Sequence, residues 1–156
     1  MKVARISLTA LALSAVAGGL GTTAVALAGS AHAASSGTIN VRSTAFGKIL
    51  VNSKGVTVYY FAIDKKNKSN CNAACLSTWP LVTVTGKPTA GPGVSKKLLG
   101  TIKVGGKKEV TYNGLPLYTY VADGNNPGQT NGEDTNANGG LWWVVSPAGA
   151  PIKKEP

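Results

Sequence analysis

The chain has 156 residues and a formal net charge of +10, from 16 Lys and Arg against 6 Asp and Glu. Its single His (His32) and single Met both fall within the first 33 positions, which read as a cleavable leader. Without them the remainder has no His or Met, which excludes Ser-His-Asp and Cys-His catalysis, His-ligated zinc, blue copper and His-ligated haem.

The leader is residues 1–33. Lys2 and Arg5 form a short basic region, an Ala- and Leu-rich stretch runs from Ile6 to about Leu27, and Ala31-His32-Ala33 has the small residues a signal peptidase accepts. A retained membrane anchor is the alternative, and Gly18, Gly19, Gly21 and Gly29 make the stretch a poor permanent span. Export leaves residues 34–156 as the secreted domain and lowers the charge of +10 by the two leader cations, to +8. No Cys precedes Cys71, so no lipid anchor is expected, and no second Arg adjoins Arg5.

Thr38 to Arg42 and Lys48 to Asn52 alternate and are β-branched, which predicts two short strands. Ser53-Lys54-Gly55 is a turn, and Val56 to Ala62 is a strand rich in Val, Tyr and Phe. Lys65-Lys66-Asn67-Lys68 reads as a solvated loop. Cys71 and Cys75, the only cysteines, are expected to form a disulfide in an exported chain. So short a closed loop restrains the unfolded chain by only ~2 kcal/mol, and the bridge chiefly fixes the turn that presents Trp79. A redox pair would have two intervening residues within alternating strands and helices, and neither holds here. At most one helical turn is expected, near Ala73 to Thr78.

Leu81 to Thr85 is a further predicted strand, followed by a Gly- and Pro-rich linker over residues 86–97. Leu99 to Val104, Gly105-Gly106, Glu109 to Tyr112, Asn113-Gly114 and Leu115 to Val121 make a meander with two tight turns. Asp123 to Gly140 is a long polar loop, and Leu141 to Val145 is the last strand. The class is all-β.

Ten residues are written twice. Gly55 to Asp64 returns as Gly114 to Asp123, with Gly, Tyr, an aromatic residue and Asp in register. This divides the domain into repeat 1 (about 39–85) and repeat 2 (about 98–149). Each is too small for a core of its own, so the two should pack as one domain about a pseudo-twofold axis, as a sandwich or a flattened barrel.

The motifs Tyr59-x-Phe61-x-x-Asp64 and Tyr118-x-Tyr120-x-x-Asp123 resemble those of a bacterial family of secreted or lipid-anchored repeat proteins, whose biochemical function is not established. Cys71, Cys75, Trp79-Pro80, Tyr112-Asn113-Gly114, Pro127-Gly128, Trp142 and Ser146-Pro147 extend the resemblance over Ile39 to Gly149. Many relatives keep a lipid-attachment Cys that is missing here, which implies free secretion or retention in the wall.

In a strand, Tyr59 and Phe61 share one face, and Asp64 falls just past the strand end. The motif therefore reads as core aromatics with a polar handle, closed by an Asp that clamps the following turn. The sharper alternative is a hydrolase using Asp64 and Asp123 as acid and base. No catalytic residue, cofactor or metal ligand is assigned. Asp134-Thr135-Asn136-Ala137-Asn138-Gly139 copies the start of a calcium loop, but Val145 stands where its closing Glu belongs. A different calcium loop would use Glu133 and Asp134. Trp79, Trp142 and Trp143 are the candidate ligand surface. Trp142 and Trp143 are adjacent in a strand, so only one of them can face the core. The expected role is a non-catalytic binding or structural module of the cell envelope. Its partner would be an anionic wall polymer, a glycan or an envelope protein, and not nucleic acid.

Overall fold

The structure, a computed structural model, describes residues 37–153. The expected leader (1–33) lies outside them.

Repeat 1 starts with the hairpin β1 (Thr38–Thr44) and β2 (Gly47–Val51), and repeat 2 with the hairpin β5 (Leu99–Val104) and β6 (Lys107–Tyr112). The other strands are β3 (Tyr59–Phe61), β4 (Thr89–Ala90), β7 (Leu115–Pro116), β8 (Thr135–Ala137) and β9 (Gly140–Val144). The only α-helix among the described residues is α1 (Ala73–Thr78). Among the described residues three sheets form, in the orders β2-β1-β4, β3-β9-β8 and β5-β6-β7, and none closes into a barrel.

The two halves interlock. Tyr59 and Tyr118 exchange backbone bonds, N–H to O at 2.8 Å one way and 3.0 Å the other. Tyr59 also pairs with Val144 of repeat 2, as Tyr118 pairs with Leu81 of repeat 1. The Leu50 N–H meets the Val145 carbonyl at 2.8 Å, and the Val110 N–H meets that of Val82 at 2.8 Å. Each half thus lends its closing segment to the other, the pseudo-twofold relation expected of a duplication. Both apolar cores are shared: one gathers Ile49, Tyr59, Phe61, Trp79, Tyr118 and Trp142, the other Ile39, Leu50, Val58, Val82, Val110 and Val145.

Five segments differ from the sequence reading. Val56 to Ala62 keeps only β3 as a strand, because Thr57 still pairs with Val51 before Tyr59 passes to Tyr118 and Val144. Leu81 to Thr85 forms single bridges at Leu81 and Thr83, each to a different partner, rather than a ladder. The linker contains β4, which lies parallel to Thr38 and Ile39 of β1. After β7 the expected strand gives way to a 3-10 turn at Val121–Asp123, and the long polar loop holds β8, paired with β9. Hydrogen bonds handed from sheet to sheet shorten strands without changing their residue composition.

Asn72 caps α1 by accepting the Cys75 N–H at 3.0 Å, and the Trp79 N–H closes it on the Cys75 carbonyl at 2.9 Å. The Cys71–Cys75 disulfide, with Cα atoms 5.3 Å apart, ties the start of this turn.

Candidate functional site

The duplicated motif meets itself at the centre of the molecule. Trp79 and Trp142 stack at 3.8 Å and 1°. Phe61 continues the stack beyond Trp142 at 4.1 Å, and Tyr120 continues it beyond Trp79 at 4.1 Å. Tyr59 stands edge-on to Trp79 (5.5 Å), and Tyr118 stands edge-on to Trp142 (5.1 Å). Such parallel and edge contacts suit the ring quadrupoles. Each aromatic of one repeat has its counterpart in the other.

The hydroxyls cross over. Tyr59 donates to Asp123 Oδ2 at 2.6 Å, and Tyr118 donates to Asp64 Oδ2 at 2.7 Å. The second oxygen of each carboxylate clamps a turn in its own repeat. Asp64 accepts the Asn70 N–H at 2.6 Å, and Asp123 accepts the Asn131 N–H at 3.0 Å. Ser69 adds a hydroxyl contact of 2.6 Å to Tyr118, and the Gly132 N–H adds one of 3.3 Å to Tyr59. Burial raises the Asp64 carboxyl to about 6 despite these donors, and it raises that of Asp123 as well. Both tyrosine hydroxyls are pushed up by burial and by neighbouring carboxylates, so they remain donors.

Trp79 and Trp142 are wholly buried within the stack, so they cannot serve as a ligand surface. Trp143 is half-buried and lies opposite Tyr60 in the pairing of β3 and β9, which leaves it as the solvent-facing tryptophan. Phe61, Tyr59 and Tyr118 are core residues, while Tyr120 is half-buried at one end of the stack.

Of the three described carboxyls outside the motif, two are withdrawn from solvent in whole or in part. Glu109 is fully buried with neither oxygen hydrogen-bonded, and burial, with Asp64 nearby, pushes it up to about 9. Pairing of the hairpins puts Glu109 opposite Ile102 as Ile49 is opposite Arg42, so it takes the place of buried Ile49. Laying one hairpin over the other in sequence would have singled it out. Glu133 accepts the Val144 N–H at 2.5 Å, its other oxygen is unpaired, and burial raises it to about 7. The calcium-like stretch is the β8–β9 hairpin, turning at Asn138 and Gly139, both with positive φ (57° and 88°). Among the described residues no group of three or more His, Cys, Asp or Glu could hold a metal.

The outer surface has the opposite character. Arg42 and the Lys residues at 48, 54, 65, 66, 68, 87, 96, 97, 103, 107 and 153 are exposed, and Lys108 is half-buried. Of the five described carboxylates only Asp134 is exposed. The fold thus sorts charge by depth, with acids inside and bases outside. A groove of about 360 Å³ is lined by Lys87, Lys96 and Lys108 with Gly86, Gly100 and Thr101.

No curated protein and no solved structure matches the chain. A family model described as a secreted repeat of unknown function matches twice, over residues 40–83 and 102–146, which together make more than half of the chain. Trp79 and Trp142 stand at the same distance from the end of each match, as the paired stack requires. With both copies present and folded around one another, the chain belongs to this family of secreted repeats.

Proposed function

We propose that this extracellular protein is a non-catalytic module of the cell envelope that binds an anionic wall polymer through its cationic surface. The observation that supports this reading is the sorting of charge: basic side chains cover the outside, and Asp134 is the sole exposed acid among the described residues. A field of one sign attracts an extended polyanion and concentrates it at the surface. The aromatic centre gives that surface a rigid support and is itself closed to ligands.

The hydrolase reading draws no support from the motif. Glycoside hydrolysis needs two carboxyls on either side of an open cleft. Asp64 and Asp123 instead lie buried in different turns, and each is occupied by a tyrosine and a backbone N–H. Their near-symmetric surroundings also give no division into acid and base.

The test is co-sedimentation of the mature protein with purified cell walls, before and after chemical removal of their anionic polymers, in low and high salt. Binding that disappears with the polymers and weakens with salt is the expected result. Binding that survives both treatments and is lost in Trp143→Ala would overturn it in favour of an uncharged glycan held at Trp143. An absence of wall binding would overturn it outright.

A further inference from the structure

The pseudo-twofold supplies an internal control for the surface, because a feature present in one repeat and missing from the other is not required by the fold. The lysine-lined groove is such a feature. Its walls are the linker segment Gly86-Lys87-Pro88 and the start of β5, with Lys96 and Lys108 beside them. In repeat 1 the corresponding strand β1 is flanked by β4, while β5 is the outermost strand of its sheet. The same linker that completes the sheet of repeat 1 therefore forms one wall of the groove in repeat 2.

One of the groove lysines also faces a like charge across the sheet. Lys103 and Lys108 lie directly opposite in the β5–β6 pairing, where like charges repel and destabilise a sheet. The counterpart pair in repeat 1 is Ser43 opposite Lys48, which carries one charge. Lys87 and Lys96 bring further positive charge to the groove, and among the described residues no acid lines it. Glu109, the neighbour of Lys108 in the chain, turns inward and is fully buried. The Lys108 ammonium is held 3.4 Å from the carbonyls of Thr85 and of Gly86, which keeps it at the linker wall. Lys108 thus carries a cross-strand repulsion from Lys103, which its counterpart Lys48 does not, and an anion bound beside it would relieve that repulsion.

We infer that this groove is a phosphate-binding site, in which Lys87, Lys96 and Lys108 hold successive phosphate groups of an extended polymer. The inference rests on the reading of the protein as a polyanion-binding module and names its site and ligand chemistry. Lysine ammonium groups act as compact charges with rotatable donors and bind phosphate oxygens as point charges, and among the described residues no Arg, whose planar fork would pair with phosphate or carboxylate alike, lines the groove. Gly86, where an added Cβ would meet nothing, leaves its wall low, and the exposed Thr101 hydroxyl adds a neutral donor. A volume of about 360 Å³ accommodates a short stretch of such a chain and not a folded partner.

The experiment is calorimetric titration of the mature protein at fixed ionic strength. Its probes are inorganic polyphosphate, monomeric phosphate and a polyglutamate of matched charge. A Lys87→Gln/Lys96→Gln/Lys108→Gln variant is compared with a Lys48→Gln/Lys54→Gln/Lys65→Gln variant, which loses the same charge elsewhere. The groove variant should weaken polyphosphate binding about tenfold or more, and the control at most about threefold, as expected for diffuse charge loss. Polyphosphate should also protect Lys87, Lys96 and Lys108 from acetylation in the wild-type protein, a readout independent of any substitution. Equal losses in the two variants, or polyglutamate bound as well as polyphosphate, would remove the groove and leave the cationic-surface reading standing. Tight binding of monomeric phosphate alone would overturn the extended polymer as ligand. Failure of the wild type to bind any polyanion would sink both proposals.

Discussion

Each motif tyrosine closes the turn of the other repeat, and that exchange gives the motif its spacing. Tyr must point into the shared core, and Asp must sit past the strand end, where a hydroxyl from across the axis reaches it. A buried hydrogen bond to a carboxylate is worth about 1.5–3 kcal/mol, and losing one partner leaves the other desolvated. Tyr59→Phe should therefore lower the free energy of unfolding by about 2 kcal/mol in urea titrations. A double-mutant cycle with Asp123→Asn should show coupling of about 1 kcal/mol or more, and one with Asp64→Asn should be close to additive. Coupling to Asp64 instead would refute the crossed pairing. The sequence already showed Tyr as a core residue with a polar handle and Asp as a turn clamp, since both roles follow from strand periodicity. The identity of each partner was not legible, because linear spacing holds no information about contacts across an axis.

The segment between Asp123 and β8 is the lid of the aromatic centre. It is held by Asp123 at Asn131, by Tyr59 at Gly132 and by the Thr57 hydroxyl on the Gln129 carbonyl. Gly132 lies against the rings: a Cβ there would meet Tyr59 Cζ at 2.8 Å and Trp79 Cη2 and Cζ3 at 2.9 Å. Those atoms belong to stiff rings locked in a stack, so neither side can yield cheaply. Gly132→Ala should cost about 1–3 kcal/mol and weaken the near-ultraviolet circular dichroism of the tryptophan pair. An unchanged spectrum and melting point would show that the segment is looser than its contacts indicate. The same segment marks a limit of the sequence reading. Gly105-Gly106 and Asn113-Gly114 were legible as tight turns, and all four residues do adopt positive φ. Asn138-Gly139 is a turn of the same chemistry, but the surrounding Asn, Asp and Gly concealed the short strand before it. Leu81 to Thr85 erred the other way: its β-branched residues fit a strand, yet it changes partner every second residue.

The interlocking of two small repeats places carboxyls where a larger domain would place apolar side chains, and stability against pH should record this. Burial raises Asp64 to about 6, Glu133 to about 7 and Glu109 to about 9, and it raises Asp123 as well. The ordinary values are 3.8 for Asp and 4.5 for Glu, so above these the unfolded chain releases protons that the folded chain keeps. The folded state then binds more protons, and stability falls as pH rises, by up to ~1.4 kcal/mol per pH unit for each group in its window. Asp64 acts up to about 6, Glu133 up to about 7 and Glu109 alone up to about 9. The melting temperature should thus be highest in mild acid and decline steadily through neutrality to pH 9, the limit set by Glu109. Glu109→Ile, which restores the residue its counterpart Ile49 already uses, should raise the melting temperature and flatten the decline between pH 7 and 9. Glu109→Gln should flatten that limb as well, with less gain, because an amide without partners replaces a carboxyl without partners. A wild-type melting temperature that is constant from pH 7 to 9 would mean that Glu109 is ionised in the fold, and a cation would then have to accompany it.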